Sequence, residues 1–525
     1  MKMILLLAAT TAFAYEPCAG GLAASERGLA LTTPESQGVS SRAILRWIEE
    51  CETTAATNGF RGGFLHGFVI VRHGKTIAEG TWAPQNTLDE PHMLYSHSKS
   101  FTSTAVGFLV DDGKIDLDRR VVSFFPEAMP TNQSENLRQV RVRDLLTMNF
   151  GAKRTDAERD DISGDWVKAL LNNTIDHEPG TVFKYDSGAT HLLAAIVEKV
   201  SGKPLMAFLK ERLFDPLGMQ SPWSTVSPTG VACGGWGMNM TTRDIAKFGQ
   251  FLLQEGRWNG RQLLSREWIR LATARQTWSG GIVVQSQTVG SGSDWNQGYG
   301  FQFWRCRHDA YRADGAAGQL TIAFPGQDAV VSVNAGLGDM QRELDLIWEH
   351  LLPAFGPESL SEDDAALAAL RMKCAALSLP MEDSREEEFE GMGAAMVEPS
   401  SEGWVLVLDK HRLKVGDGKW AVTEWKFDDT NVEPLFRNCG IRKIAATGKI
   451  DDKGRLWVTW QMLGGIRHGR FMVEGRKGAG GPRGGADAPR RGGHHRPCLL
   501  MAPCGRRHCA RRSASGAESI SRTTT

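Results

Sequence analysis

The chain carries no excess of either charge. Against 61 Lys and Arg stand 61 Asp and Glu in 525 residues, so no net field draws it to nucleic acid or to a membrane surface. It has no C-x-x-C pair. Its nine cysteines, Cys18, Cys51, Cys233, Cys306, Cys374, Cys439, Cys498, Cys504 and Cys509, are odd in number and scattered, which argues against a disulfide scaffold. Cys498, Cys504, His508 and Cys509, with His494 and His495 nearby, follow no structural zinc spacing, and no metal is expected. Beyond the first residues, no stretch approaches the roughly 18 consecutive apolar residues of a membrane span. G-x-S-x-G and H-E-x-x-H are missing as well, which argues against an α/β-hydrolase and a zinc protease. Gly74-Lys75-Thr76 superficially suggests a phosphate-binding loop. Val69 stands where the first glycine of such a loop is required, so the fragment reads as a turn.

What is present is ordinary for a globular protein: 41% hydrophobic and 23% charged residues. Single cores tend to stop growing near roughly 250–300 residues, so 525 residues imply one large domain and something smaller. Met1-Lys2-Met3, an apolar run from Ile4 to Ala14 and the ending Ala12-Phe13-Ala14 read as a signal peptide over residues 1–14, with secretion as the expected destination. The alternative is an apolar leader on an intracellular protein. In a secreted chain Asn132, Asn172 and Asn239 become candidate glycosylation sites.

Periodicity then sets out the elements. Ile44, Leu45, Trp47 and Ile48 have helical spacing behind a serine cap. Phe68–Val71, a turn at His73-Gly74-Lys75, and Thr76–Ala78 form a hairpin. From Ser96 to Asp112 the apolar residues suit a helix with a broad buried face, closed by Gly113. Helices are expected at 142–148, 191–200, 242–254 and 344–352, and strands at 321–324 and 329–333. Together these predict a mixed α and β domain over residues 30–355. A helical linker follows at 356–380. A small β-rich accessory domain is expected over 381–477, where Trp404–Leu408, Arg412–Val415 and Arg455–Met462 read as strands. Residues 478–525 are Gly- and Arg-rich with almost no side chains to build a core, so a disordered basic tail is expected. It has no aromatic residues for base stacking, and no nucleic-acid role is assigned to it.

One constellation carries chemistry. A serine hydroxyl is a poor nucleophile until a neighbouring base takes its proton. Ser96-His97-Ser98-Lys99 is the only S-x-x-K in the chain, and a separation of three on a helix puts both side chains on one face. A position at the helix start adds dipole support for developing negative charge. The reference lysine pKa of roughly 10.4 requires burial or cationic neighbours to lower it before Lys99 can act as the base. The competing reading is a capping serine followed by a surface lysine.

The surroundings resemble a known family. Tyr95–Ser103 followed by Leu109–Asp118 is similar to the nucleophile helix of serine hydrolases related to class C β-lactamases, penicillin-binding proteins and esterases. Val142–Met148 resembles a helix those proteins carry downstream, and Glu178–Gly188 resembles the segment holding their Tyr-x-Asn motif, with Tyr185 in the tyrosine position. Gly234–Gly237, Thr242–Ala246 and Gly298–Gly300 fit further, and the likeness spans about residues 33–355. It implies a β-lactamase-like fold: an antiparallel sheet flanked by helices, with a helical subdomain. It also implies that Ser96 is acylated while Lys99 and Tyr185 share the base role.

Two departures bear on substrate. Ser187 stands where asparagine is usual, a hydroxyl with shorter reach. The family's Lys-Thr-Gly motif falls on Ala313-Asp314-Gly315, and the resemblance makes the Ser96 and Ala316 N–H groups the oxyanion hole. Ser187, Asp314 and Gly315 are then expected to line the substrate site. Without the lysine, the carboxylate of a β-lactam loses its partner, unless Arg312 supplies a charge from the same strand. The sequence therefore predicts an uncharged small-molecule ester or amide as substrate, weak or absent β-lactamase activity and no cofactor. The rival reading is a catalytically silent binding or scaffolding protein, favoured by Ser187 and Ala313.

Overall fold

The computed structural model describes residues 29–473 apart from 132, 156–163, 220–221, 280–282, 285–286, 289–291, 382–395, 409–410, 426–441 and 467. The leader, the basic tail, Asn132 and the Cys/His cluster near residue 500 lie outside the described residues. No helix among the described residues is long and apolar enough to cross a membrane.

A six-stranded sheet organises the described residues between Gly63 and Leu337. Helix α1 (Ser41–Ala56) leads into strand β1 (Gly63–Arg72) and its hairpin partner β2 (Lys75–Thr81). Helices α2 (Ser98–Asp111), α3 (Ser187–Ser201) and α4 (Thr242–Leu253) follow. The chain then returns to the sheet as β3 (Trp304–Arg305), β4 (Tyr311–Gly315), β5 (Gln319–Phe324) and β6 (Ala329–Leu337), before α5 (Met340–Leu346) and α6 (Asp364–Ala375). The strand order is β3-β4-β5-β6-β1-β2, and every pairing is antiparallel. The first and last parts of the domain are thus joined at its centre, β1 against β6.

Alternation along β1 explains the layering. Successive strand residues face opposite sides. Phe68 and Ile70 join the core shared with Trp47 and Ile48 of α1 and Leu344 of α5, and the Trp47 and Phe68 rings meet edge to face at 5.1 Å. Val69 and Val71 turn the other way, towards Ala246 of α4. Beyond α4 lies a helical layer in which Phe101 and Phe108 of α2 pack with Leu192, Leu193 and Ile196 of α3. The expected helix at 344–352 starts earlier. It is α-helical over 340–346 and then widens to a π-helical turn at 347–351.

The strands near the C-terminus form a separate, seven-stranded sheet. Its members are β7 (Met396–Ser400), β8 (Gly403–Leu408), β9 (His411–Asp417), β10 (Ala421–Trp425), β11 (Arg442–Ile450), β12 (Leu456–Met462) and β13 (His468–Val473). The order is β7-β8-β9-β11-β12-β13, with β10 also paired to β11. Leu406, Leu413, Val415, Val458 and Trp460 give it a core of its own. Of the sequons, Asn172 is exposed. Asn239 is 1% exposed and its amide donates to the Gly237 carbonyl at 2.9 Å, so this expected glycosylation site is closed to a glycan.

Candidate active site

Ser96 lies one step ahead of α2 rather than inside it. Tyr95–His97 form a short 3-10 turn, and α2 proper begins at Ser98. All residues of α2 from Ser98 to Leu109 are buried, including a run of small hydroxyls. Each hydroxyl in this dry helix needs a partner, and several find one on other elements. Thr102 donates to the Gly234 carbonyl at 2.9 Å, Ser98 accepts from the Met238 N–H at 3.1 Å, and Ser100 donates to the Gln302 carbonyl at 2.7 Å. The polar residues that lower the helix's apolar content thus tie the Gly234–Met238 loop against it.

That loop completes the surroundings of Lys99, whose side chain is buried, at 1% exposure. Its Nζ lies 3.0 Å from Ser96 Oγ, 3.1 Å from Ser187 Oγ and 2.7 Å from the Gly235 carbonyl, all neutral oxygens. It also sits 4.7 Å from the centroid of the Tyr185 ring. Ser187 opens α3, where Asp186 caps the helix by accepting from the Gly188 N–H at 2.9 Å. Tyr185 stacks on Trp304 of β3 with centroids 5.5 Å apart and meets Tyr299 edge-on at 6.2 Å. Ser96, Lys99, Tyr185 and Ser187, chosen from sequence, are therefore brought together. The Gly235 carbonyl was not; its signal was the Gly-Gly-Trp-Gly run, which marks a backbone held close to something.

The strand-end motif falls on β4. A Cβ on Gly315 would stand 2.0 Å from the Leu94 carbonyl and 3.1 Å from the His97 N–H nitrogen, so only glycine lets β4 lie against the segment carrying Ser96. The exposed Ala316 follows directly, which sets the two expected oxyanion donors on adjoining segments. Asp314 does not stand free towards a substrate: its carboxylate accepts from Arg312 Nε at 2.6 Å, and both residues are buried. Burial raises the Asp314 pKa, while Arg312 and Lys99 pull against that rise. Arg312 is fully buried and lies over the Trp295 ring at 4.5 Å, so its charge is spent inside the fold.

The chain is similar to several known proteins. Over 288 residues the chain is 27% identical to the 6-aminohexanoate-dimer hydrolase of Paenarthrobacter ureafaciens, a match covering 50% of this chain and 70% of that protein. It is 27% identical over 169 residues to the lovastatin esterase of Penicillium rubens, covering 28% of this chain and 42% of the esterase. An octameric penicillin-binding protein homologue from Pyrococcus abyssi superimposes with a TM-score of 0.47 at 16% identity, over 82% of this chain and 95% of that one. The Beta-lactamase family model matches residues 50–350, more than half of the 525 residues, and the chain belongs to the Beta-lactamase family.

Proposed function

We propose that this protein is a serine hydrolase that cleaves an uncharged ester or amide through an acyl-enzyme on Ser96. The observation that carries the reading is the 3.0 Å contact between Lys99 Nζ and Ser96 Oγ inside a site whose lysine is buried. The mechanism needs Lys99 as an amine; burial disfavours the charged form of a lysine, and the Asp314 carboxylate, with which Lys99 interacts, pulls the other way. Ser96 Oγ attacks the substrate carbonyl while Lys99, with Tyr185, takes the hydroxyl proton. That proton passes to the leaving alcohol or amine, and water attacks the acyl-enzyme with the same pair as base. The N–H groups of Ser96 and Ala316 receive the developing oxyanion.

The substrate class follows from charge. Ala313 is buried in the core and Arg312 is engaged by Asp314, so the strand end offers no cation to an anionic substrate such as a β-lactam. The relatives named 6-aminohexanoate-dimer hydrolase and lovastatin esterase support amide or ester hydrolysis. Intact-mass measurement after incubation with a fluorophosphonate tests the reading. One adduct is expected on the native chain and none on Ser96→Ala. A well-folded native chain that takes no adduct would favour the silent binding protein instead.

A further inference from the structure

The segment that delivers Ser96 is held in an unfavourable conformation. Tyr95 has φ +49°, in the left-handed region that bulky L-residues rarely adopt. Such a residue persists only where its surroundings over-determine it. Part of the restraint comes from the six-stranded domain: the Leu94 N–H donates to the Met238 carbonyl at 2.8 Å, and Gly315 is pressed against the Leu94 carbonyl.

His92–Met93 also pair with Asn239–Met240, and a further restraint comes from the C-terminal sheet. The Met93 N–H, two residues before Tyr95, donates to the Gly464 carbonyl at 3.0 Å, in the turn between β12 and β13. Gly464 has φ +70°, and a Cβ there would stand 2.7 Å from the Pro91 carbonyl. Gln85 holds the same turn twice: its Nε2 donates to the Met462 carbonyl and its Oε1 accepts from the Gly464 N–H, both at 3.0 Å. Behind the turn runs a side-chain chain. Gln461 Nε2 lies 3.4 Å from His66 Nε2, His66 Nδ1 lies 3.0 Å from His92 Nε2, and His92 Nδ1 lies 3.0 Å from the Met93 carbonyl. A carbonyl can only accept, so His92 donates from Nδ1, its Nε2 accepts from His66 Nδ1–H, and His66 Nε2 accepts from the Gln461 amide. Every link in the chain has a donor facing an acceptor.

We propose that the C-terminal sheet is a positioning part of the active site: Gly464, Gln85 and the Gln461–His66–His92 chain fix residues 92–94 so that Tyr95 keeps its left-handed turn and Ser96 stays against Lys99. None of these residues touches the reacting atoms. The inference rests on Ser96 being the nucleophile.

The test uses the full chain with Gln85→Leu, Gly464→Val and Gln461→Leu. Two readouts are taken: amide hydrogen exchange over residues 91–96, and kcat and KM for a p-nitrophenyl ester. Positioning predicts at least tenfold faster exchange at Met93 and at least a tenfold fall in kcat, with KM within twofold. Gln85→Glu keeps the acceptor for the Gly464 N–H and recovers part of the loss. If Gly464→Val does not fold, the two glutamine variants decide. Variants that keep native exchange, or that exchange faster but keep kcat, overturn the proposal while the hydrolase reading stands. A native chain that takes no probe at Ser96, yet shows the exchange response, refutes the hydrolase reading and reduces the clamp to a structural contact.

Discussion

At the scale of single residues, the site depends on what surrounds one amine. Lys99 contacts the nucleophile, the Ser187 hydroxyl and the Gly235 carbonyl, and these contacts carry unequal weight. General-base catalysis contributes typically about 10²–10⁴-fold, so Lys99→Met is expected to lower kcat/KM on an ester by that order while leaving the fold intact. Ser187→Ala removes one neutral hydrogen bond, worth roughly 1 kcal/mol net, or about fivefold in rate. Ser187→Asn restores the residue usual in the family and is expected to cost less than the alanine variant. Steady-state kinetics on p-nitrophenyl butyrate checks all three. A lysine variant as fast as the native chain would remove Lys99 from the mechanism.

At the scale of elements, glycine spacing decides whether β4 can approach the nucleophile turn. Gly315→Ala places a methyl group 2.0 Å from the Leu94 carbonyl, a backbone clash that no side-chain rotation relieves. Overpacking of this kind costs typically about 1–3 kcal/mol. The variant should lose that stability in chemical denaturation and label with fluorophosphonate at least tenfold more slowly, because the shift falls on residues 94–97. Normal labelling with normal stability would mean that β4 does not bear on the turn. Much at this scale was legible in the sequence. The hairpin at β1 and β2, the helices expected at 191–200 and 242–254 and found at 187–201 and 242–253, the strands around Pro325 and the run Trp404–Leu408 all follow from local period and turn residues. So did the meeting of Ser96 and Lys99, which is three residues of helical geometry. What local pattern could not reach were long-range backbone placements. The Gly235 carbonyl meets Lys99 across 136 residues, and Gly464 meets Met93 only because a second sheet docks there. Arg312 was left open for a similar reason: its direction depends on Asp314, Trp295 and the Asp294 carbonyl, which are brought to it by folding.

At the scale of the whole molecule, buried ionisable groups link folding to pH. His66 on β1, His97 beside the nucleophile and His191 on α3 are among the five buried histidines of the described residues. Burial lowers the His97 pKa to about 3 and that of His191 to about 4, from 6.5. Burial, with His92 and His468 nearby, holds His66 well below its usual value. Between pH 6.5 and these lowered values the unfolded chain binds protons that the native chain refuses. Stability is therefore complete above pH 6.5 and is lost as pH falls through it, by up to about 1.4 kcal/mol per pH unit for each group. Glu343 works in the opposite sense. Its carboxylate is 2% exposed and has no hydrogen-bond partner among the described residues. Burial first, and then Asp314, push its pKa well above 4.5. A native carboxyl that holds its proton to higher pH than the unfolded one costs stability as pH rises, and acidification relieves that cost. Burial raises the Asp314 and Asp144 pKa values in the same sense as Glu343, but the histidines start from 6.5, inside the range between pH 7.5 and 5, and acid destabilisation dominates there. Denaturant midpoints for the native chain should fall between pH 7.5 and pH 5, and Glu343→Gln should be more stable than the native chain at pH 8, with the gain shrinking towards pH 5. A native midpoint that stays level between pH 7.5 and 5 would mean that the interior histidines accept protons without loss of packing. A glutamine variant whose gain is the same at both ends of the range would mean that Glu343 carries the same charge folded and unfolded, and that burial does not raise its pKa.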